Sequence, residues 1–184
     1  MAKPGKRERL VESARTLIHE QGVHPTTLAE VAKRADVPVG NVYYYFKTKD
    51  ELVSAVLDGY AQEAARLIDS FEPHRTPQER LKALVRNWDH QREAVARYGC
   101  PMGTLCTELD KAEGGLDKSG ATVLALIIDW AEAQFRELGR RDARDLALTL
   151  FAGIQGAALL ANTFREPEIL TRQARHLEGW IDSL

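Results

Sequence analysis

The sequence predicts an all-α chain in two parts, and three observations carry that reading. Apolar residues recur at helical spacing in almost every segment. Threonine and glutamate stand three residues apart at Thr27/Glu30, Thr48/Glu51 and Thr76/Glu79, the spacing of a capping box at a helix start. No segment alternates apolar and polar residues as a half-buried strand does.

The 184 residues are 44% hydrophobic with a net charge of −2, which fits one globular domain or a small domain joined to a larger one. The charge is uneven. Residues 1–51 hold nine Lys or Arg against seven Asp or Glu, leaving the remainder net acidic. Lys3, Lys6, Arg7 and Arg9 lie within the first ten positions, as a loose basic arm before the first helix or a solvated N-terminus would place them. No apolar run reaches the roughly 18 residues of a membrane span, and no apolar leader core follows the basic start. Cys100 and Cys106 are too few for a disulfide framework and lack metal-finger spacing. The expectation is a cytoplasmic protein in a reducing compartment, with no membrane partner.

Leu10, Val11, Ala14, Leu17 and Ile18 mark a first helix that ends at Gly22. Leu28, Val31, Ala32 and Ala35 form the stripe of a short second helix behind the Thr27 cap. Asp36-Val37 is a tight turn. Pro38 then opens a third helix at its first position, with Val39, Val42 and Phe46 on one apolar face. Two short helices across a three- to four-residue turn make a helix-turn-helix. A long helix follows from Thr48 to about Phe71, with Lys49 in its first turn. There a cation opposes the helix dipole; either the lysine shares an anion with the exposed N–H groups of that turn, or it simply swings into water. Beyond the linker "EPHRTPQER", helices resume through Leu81, Leu84, Val85, Trp88 and Val95, and then in "PMGTLCTELDKA", "KSGATVLALIIDWAEAQFRELG", "DARDLALTLFAGIQGAALLANTF" and "PEILTRQARHLEGWIDSL".

The third helix carries Tyr43, Tyr44 and Tyr45 in a row. At about 100° per residue these three point around most of the helix, so they cannot all be core. The wheel turns Asn41, Tyr44 and Tyr45 outward and leaves Tyr43 at the edge of the apolar face. A phenol has a flat apolar body and a hydroxyl that can donate to phosphate, which suits a surface packed on one side and meeting DNA on the other.

The turn Asp36-Val37, Gly40 with "NVYYYF", and "KTKDEL", with Gly22 and "TTLAEVA" upstream, resemble the TetR family of bacterial transcriptional regulators. The likeness is motif-specific over the N-terminal quarter and rests on helix count and length beyond it. It implies a three-helix helix-turn-helix DNA-binding domain over 1–47 and a helical ligand-binding and dimerisation domain over 48–184. The helix over Pro38–Tyr44 would enter the major groove, and Lys49 would grip backbone phosphate. The DNA-contact set would be Thr27, Val39, Gly40, Asn41, Tyr43, Tyr44 and Lys49, and the implied partner is double-stranded DNA carrying an inverted repeat. Asp36 stands where the family usually has glycine, and Pro38 where a capping serine is common; both remove hydrogen bonds that could reach DNA. The helix has no arginine or lysine; Asn41 is the one side chain there whose amide matches adenine, or else it is plain helix surface, and Gly40 permits close backbone approach.

Residues 146–160 are apolar on nearly all sides, and Leu170, Ala174, Leu177, Ile181 and Leu184 form a near-heptad stripe. The resemblance implies a homodimer through these last two helices; packing within one chain would explain either stripe alone. The family also places a small-molecule inducer among the middle helices, where Trp88, Cys100, Met102, Leu105, Trp130 and Phe135 would line it or serve as core. Cys106 shares a stripe with Met102, Leu105 and Leu109 and reads as a core thiol. Cys100 precedes Pro101 near a helix start, where the dipole lowers a thiol's pKa. "YGCPMGTLCTEL" also resembles a segment of a TetR subgroup that includes electrophile-sensing repressors. A Cys100–Cys106 disulfide is excluded by an intervening helix, which sets their Cα atoms about 9 Å apart, past the limit of about 7 Å.

No enzyme or nucleotide-binding motif is present, and the five histidines, His90 and His176 among them, have no metal spacing. The expectation is a ligand-released repressor without catalytic residues, metal or cofactor. The rivals are a Cys100-dependent enzyme or thiol sensor, and an interaction dimer with a vestigial DNA head.

Overall fold

The computed structural model describes residues 4–111 and 116–184. Among them are ten helices: α1 Lys6–Gln21, α2 Leu28–Arg34, α3 Val39–Tyr45, α4 Lys49–Phe71, α5 Pro77–His90, α6 Arg92–Tyr98, α7 Pro101–Leu109, α8 Asp117–Glu137, α9 Ala143–Phe164 and α10 Glu168–Asp182. No strand occurs among the described residues. The packing divides the chain into two compact units, residues 1–62 with 104–123, and residues 63–103 with 124–184. Helices α4, α7 and α8 each contribute to both.

In the first unit α1 packs on α2 and α2 on α3. Leu10, Ala14, Leu17 and Ile18 of α1 are buried, as are Val31 and Ala32 of α2 and Val42 of α3. Two sequence expectations change here. Lys6, Arg7 and Arg9 belong to α1, which begins one residue after Gly5, so they form its first turn and not a loose arm. Glu8 seals that start, its carboxylate accepting the Gly5 N–H at 2.9 Å. Lys3 lies outside the described residues. Pro38 is the N-cap of α3 and not its first residue, and the Asn41 N–H donates to the Pro38 carbonyl at 2.8 Å.

The capping boxes at Thr27/Glu30 and Thr76/Glu79 are complete: each threonine hydroxyl accepts the glutamate N–H, and each glutamate carboxylate accepts the threonine N–H. At Thr48 only half forms. The Glu51 N–H reaches Thr48 Oγ1 at 3.1 Å, but the Glu51 carboxylate turns to the Lys47 N–H at 2.7 Å.

In the second unit α10 packs on α5 and α9, and α6 on α9. The single helix expected through Leu81 and Val95 is two, α5 and α6, broken at Gln91, whose φ of −94° and ψ of 5° leave the helical region. α9 is long and apolar enough to cross a bilayer, with a mean hydropathy of 1.4, although polar residues interrupt its apolar runs. Ala147, Leu150, Phe151, Ile154, Ala157, Ala158 and Ala161 bury one side of it in this unit's core.

The α10 stripe is spent inside the chain. Leu170, Leu177 and Ile181 are buried core residues, and Ala174 and Leu184 pack against that core. A Cβ on Gly153 would come within 3.3 Å of the Leu177 side chain and 3.0 Å of Gln173 Nε2, so this glycine lets α10 lie close on α9. The pairing surface expected on the stripe of α10 therefore does not exist on that face.

Candidate DNA-binding surface and ligand-binding core

The seven residues of α3 are held from beneath by Val42 and Phe46, both buried. The turn that aims this helix needs a left-handed residue, and Asp36 supplies it with φ of 52°. The Val37 N–H then closes on the Ala32 carbonyl at 3.0 Å. What remains outside is aromatic: Tyr43 is 51% and Tyr44 77% exposed. The wheel placed Tyr43 at an apolar edge, but a helix of under two turns with its anchor at Val42 turns Tyr43 outward. Tyr45 is half-buried, its ring edge-on to Tyr44 at 5.0 Å between centroids, and Asn41 is half-buried too. Val39 leaves the apolar face on which periodicity put it and is 45% exposed. Gly40 is exposed and open, with no atom within 4 Å of where a Cβ would stand.

Lys49 is half-buried, and its ammonium donates to the His24 carbonyl at 2.9 Å. Lys47, which sequence reasoning passed over, donates to the Tyr43 carbonyl at 2.6 Å from beyond the end of α3. The signal was there to read, since a cation just past a helix C-terminus meets unpaired carbonyls. The Thr27 hydroxyl is engaged with Glu30, accepting its N–H at 3.2 Å and lying 2.8 Å from Oε2. That bonding holds the Glu30 carboxyl below its ordinary value of 4.5.

Five of the six residues expected at a ligand site fall in the second unit, whereas Leu105 is buried in the first. Trp88, Cys100 and Phe135 are core, and Met102 and Trp130 pack on it. Trp130 stacks at a tilt on Phe71, 5.4 Å between centroids, and Phe135 meets Trp180 at 5.9 Å. A crevice of about 210 Å³ opens between α5, α9 and α10, and of the six only Trp88 lines it, beside Val85, Ile154, Leu170 and Leu177. Most of that space is open to solvent, and the enclosed part has room for about one water. The indole N–H groups of Trp88 and Trp130 are buried without a protein acceptor.

The family model for bacterial regulatory proteins of the tetR family matches residues 10–56, and that for the C-terminal domain of LmrA/YxaF-like transcriptional regulators matches residues 77–176. The second match alone spans more than half of the chain. The chain belongs to the TetR family.

Its relatives include an HTH-type transcriptional regulator of Mycobacterium tuberculosis, 27% identical with 94% of each chain covered. The transcriptional regulator AcuR of Cereibacter sphaeroides is 29% identical over 88% of this chain and 78% of its own. Among solved structures, the reduced form of Escherichia coli NemR superposes with a TM-score of 0.81 at 24% identity, covering 95% of this chain and 96% of its own. A TetR transcriptional regulator from Chloroflexus aurantiacus does so with a TM-score of 0.85 at 22% identity, covering 96% and 94%.

This TetR-family protein is thus a DNA-binding transcriptional regulator, of a family whose members typically repress under ligand control. Among the described residues no group of three His, Cys, Asp or Glu side chains is placed to hold a metal ion. Cys100 does not have the activated thiol expected of its helix-start position. It is buried, and burial pushes the thiol above its ordinary value of 9.0 against the opposing bonds from the Gly103 N–H and Gln155. Desolvation outweighs these bonds because a buried thiolate loses its hydration. Neither cysteine is in a disulfide, and Cys106 is half-buried.

Proposed function

We propose that this regulator is a repressor that binds an inverted-repeat operator as a homodimer and releases it when a small molecule enters the C-terminal unit. DNA binding is assigned to residues 1–47, and ligand binding and dimerisation to 48–184. The observation that carries the reading is α3, a helix pinned by Val42 that turns Val39, Gly40, Tyr43 and Tyr44 to solvent. Both tyrosines leave half or more of their surface to solvent, Tyr44 with its edge-on contact to Tyr45. They suit a groove where rings meet sugar and methyl groups and hydroxyls meet phosphate. Lys47, Lys49 and the Thr27 end of α2 flank the helix as phosphate contacts, with Asn41 as the base-reading amide.

The dimer surface is assigned to the outer side of α9, where Leu148, Ala152, Gly156, Leu159 and Leu160 recur at helical spacing and are all exposed. Nothing stands within 4 Å of a Cβ on Gly156, or on Gly179 of α10, so a partner helix can approach closely at both. Two orphaned indole donors, Trp88 and Trp130, support a ligand among the helices of the second unit. A buried unpaired donor costs roughly 1–3 kcal/mol, which a ligand carrying acceptors would recover.

Selection of bound sequences from random duplex DNA tests the reading. A two-fold-related motif, bound by dimers and released by a compound that quenches tryptophan emission, is the expected outcome. Failure to enrich any sequence would overturn it.

A further inference from the structure

We propose that Glu108 is a positioning residue for DNA recognition: from α7, far along the chain from the helix-turn-helix, its carboxylate fixes the loop between α1 and α2 on which Thr27 and Lys49 depend. The inference rests on the DNA-binding reading above. Glu108 Oε2 accepts the Val23 N–H at 2.7 Å in a part-buried setting. A bond from a backbone N–H to a carboxylate is about twice as strong as one between neutral groups. The residue before Val23 is shaped for this contact. Gly22 ends α1 with φ of 91°, and a Cβ there would lie 3.0 Å from both Glu108 oxygens. Glycine at 22 therefore makes the turn and leaves room for the carboxylate.

The loop moves as one body because it is bonded to itself. Thr26, a buried polar residue, donates from its hydroxyl to the Gly22 carbonyl at 2.7 Å and from its N–H to the Val23 carbonyl at 3.2 Å. Gln21 Nε2 reaches the same hydroxyl at 3.3 Å. The next residue after Val23 is His24, whose carbonyl holds the Lys49 ammonium, and the next after Thr26 is Thr27, the cap of α2. A shift at Val23 is passed to both DNA-facing groups. All of these residues lie in one compact unit, to which residues 104–123 belong although the helix-turn-helix ends far earlier. α7 also carries Met102, which packs on the core of the other unit. One helix thus holds a residue of the ligand-binding core and the residue that sets the DNA-facing loop.

The sign of the charge separates positioning from direct attraction. A carboxylate repels phosphate, so if charge alone mattered its removal would tighten DNA binding. Positioning predicts the reverse. With the selected operator at fixed salt, Glu108→Ala should bind roughly 5–30-fold more weakly, since it removes one charged hydrogen bond from the binding-competent loop. The salt slope should stay unchanged, because no phosphate contact is removed directly. The Val23 amide should exchange with solvent faster than in the wild type. Glu108→Gln keeps an oxygen acceptor and should restore affinity to within about threefold. Operator affinity equal to or tighter than wild type in Glu108→Ala would overturn the proposal, as would a Val23 amide already unprotected in the wild type. Should Glu108→Ala not fold, Glu108→Asp, which keeps the charge and withdraws the oxygen by one methylene, is read by the same criteria. A wild-type protein that selects no DNA defeats the DNA-binding reading itself, whereas variants that match a wild type that does bind defeat only this inference.

Discussion

The Lys49 ammonium lies 2.9 Å from the His24 carbonyl, twenty-five residues earlier in the chain. The cation assigned to a DNA phosphate is therefore already oriented in the free protein, held by a bond that a phosphate oxygen can replace. Lys49→Ala should weaken binding to all sequences alike and make the plot of log affinity against log salt shallower by about 0.9 for each head. The fold should lose no more than the roughly 0.5–1.5 kcal/mol of one net hydrogen bond. Titrations at four or five salt concentrations measure this, and an unchanged slope would remove Lys49 from the phosphate contacts.

Asn41 and Tyr44 should separate reading from gripping. Asn41→Ala is expected to lose roughly 1–3 kcal/mol at particular operator positions and little elsewhere, as an amide paired with one base would. Tyr44→Phe removes only a hydroxyl and should weaken all operators uniformly. Binding to a panel of single-base operator variants checks both; a flat profile for Asn41→Ala would return it to plain helix surface.

The two halves differ in how much the sequence disclosed. The helix-turn-helix was readable because its signals are local: caps at Thr27 and Thr48, a turn residue at Asp36, a glycine at 22. The role of the α10 stripe was not, because Leu170, Leu177 and Ile181 have the same spacing whether they face a partner or their own α9. Periodicity marks an apolar face but never what covers it. The Cys100 thiol failed for a related reason, since a helix start is visible in sequence while the burial that outweighs it is not. Glu108 was invisible altogether, being joined to Val23 across 85 positions by a single hydrogen bond.

That correction relocates the mutation that splits the dimer. Leu159 is 67% exposed in the protomer, so Leu159→Glu should leave the fold intact and place an unpaired carboxylate in each half of the interface. Sedimentation should show monomers and operator binding should fall sharply, because half-sites are then bound singly. Leu177→Glu instead buries a charge in the chain's own core and should cost several kcal/mol of stability. A folded Leu177→Glu monomer, or a Leu159→Glu dimer, would reverse the assignment.

Cys100 is expected to behave as a core thiol. Its folded-state pKa is raised by burial, so whatever stability it contributes is complete below the unfolded thiol's value and is lost as pH rises through the alkaline range. Urea unfolding at neutral and alkaline pH should show this loss in the wild type and less of it in Cys100→Ala. An alkylating agent should modify Cys100 no faster than the protein opens. DNA release by low concentrations of such an agent, absent in Cys100→Ser and retained in Cys106→Ser, would instead restore a sensing role.

Trp88 and Trp130 give the ligand question a direct measurement, since each indole N–H is buried without a protein acceptor. Replacing either by phenylalanine removes the orphan donor and trims the ring. Any cavity created offsets the relief of the unpaired group, leaving the fold within about 1–2 kcal/mol of wild type. A ligand whose acceptor bonds to that indole should lose affinity roughly tenfold in the corresponding variant, from one lost hydrogen bond. The ligand acts on DNA only through its different affinities for the DNA-competent and incompetent shapes. Ligand should therefore weaken operator binding, and operator should weaken ligand binding by the same factor, typically 5–150-fold. Titrating ligand by tryptophan emission with and without operator measures one side of that cycle, and titrating operator with and without ligand measures the other. Unequal factors would mean that the compound does not work through the bound state of this protein. A factor of one in both would make it a bystander in the core, leaving the search for the true effector open to compounds selected by operator release.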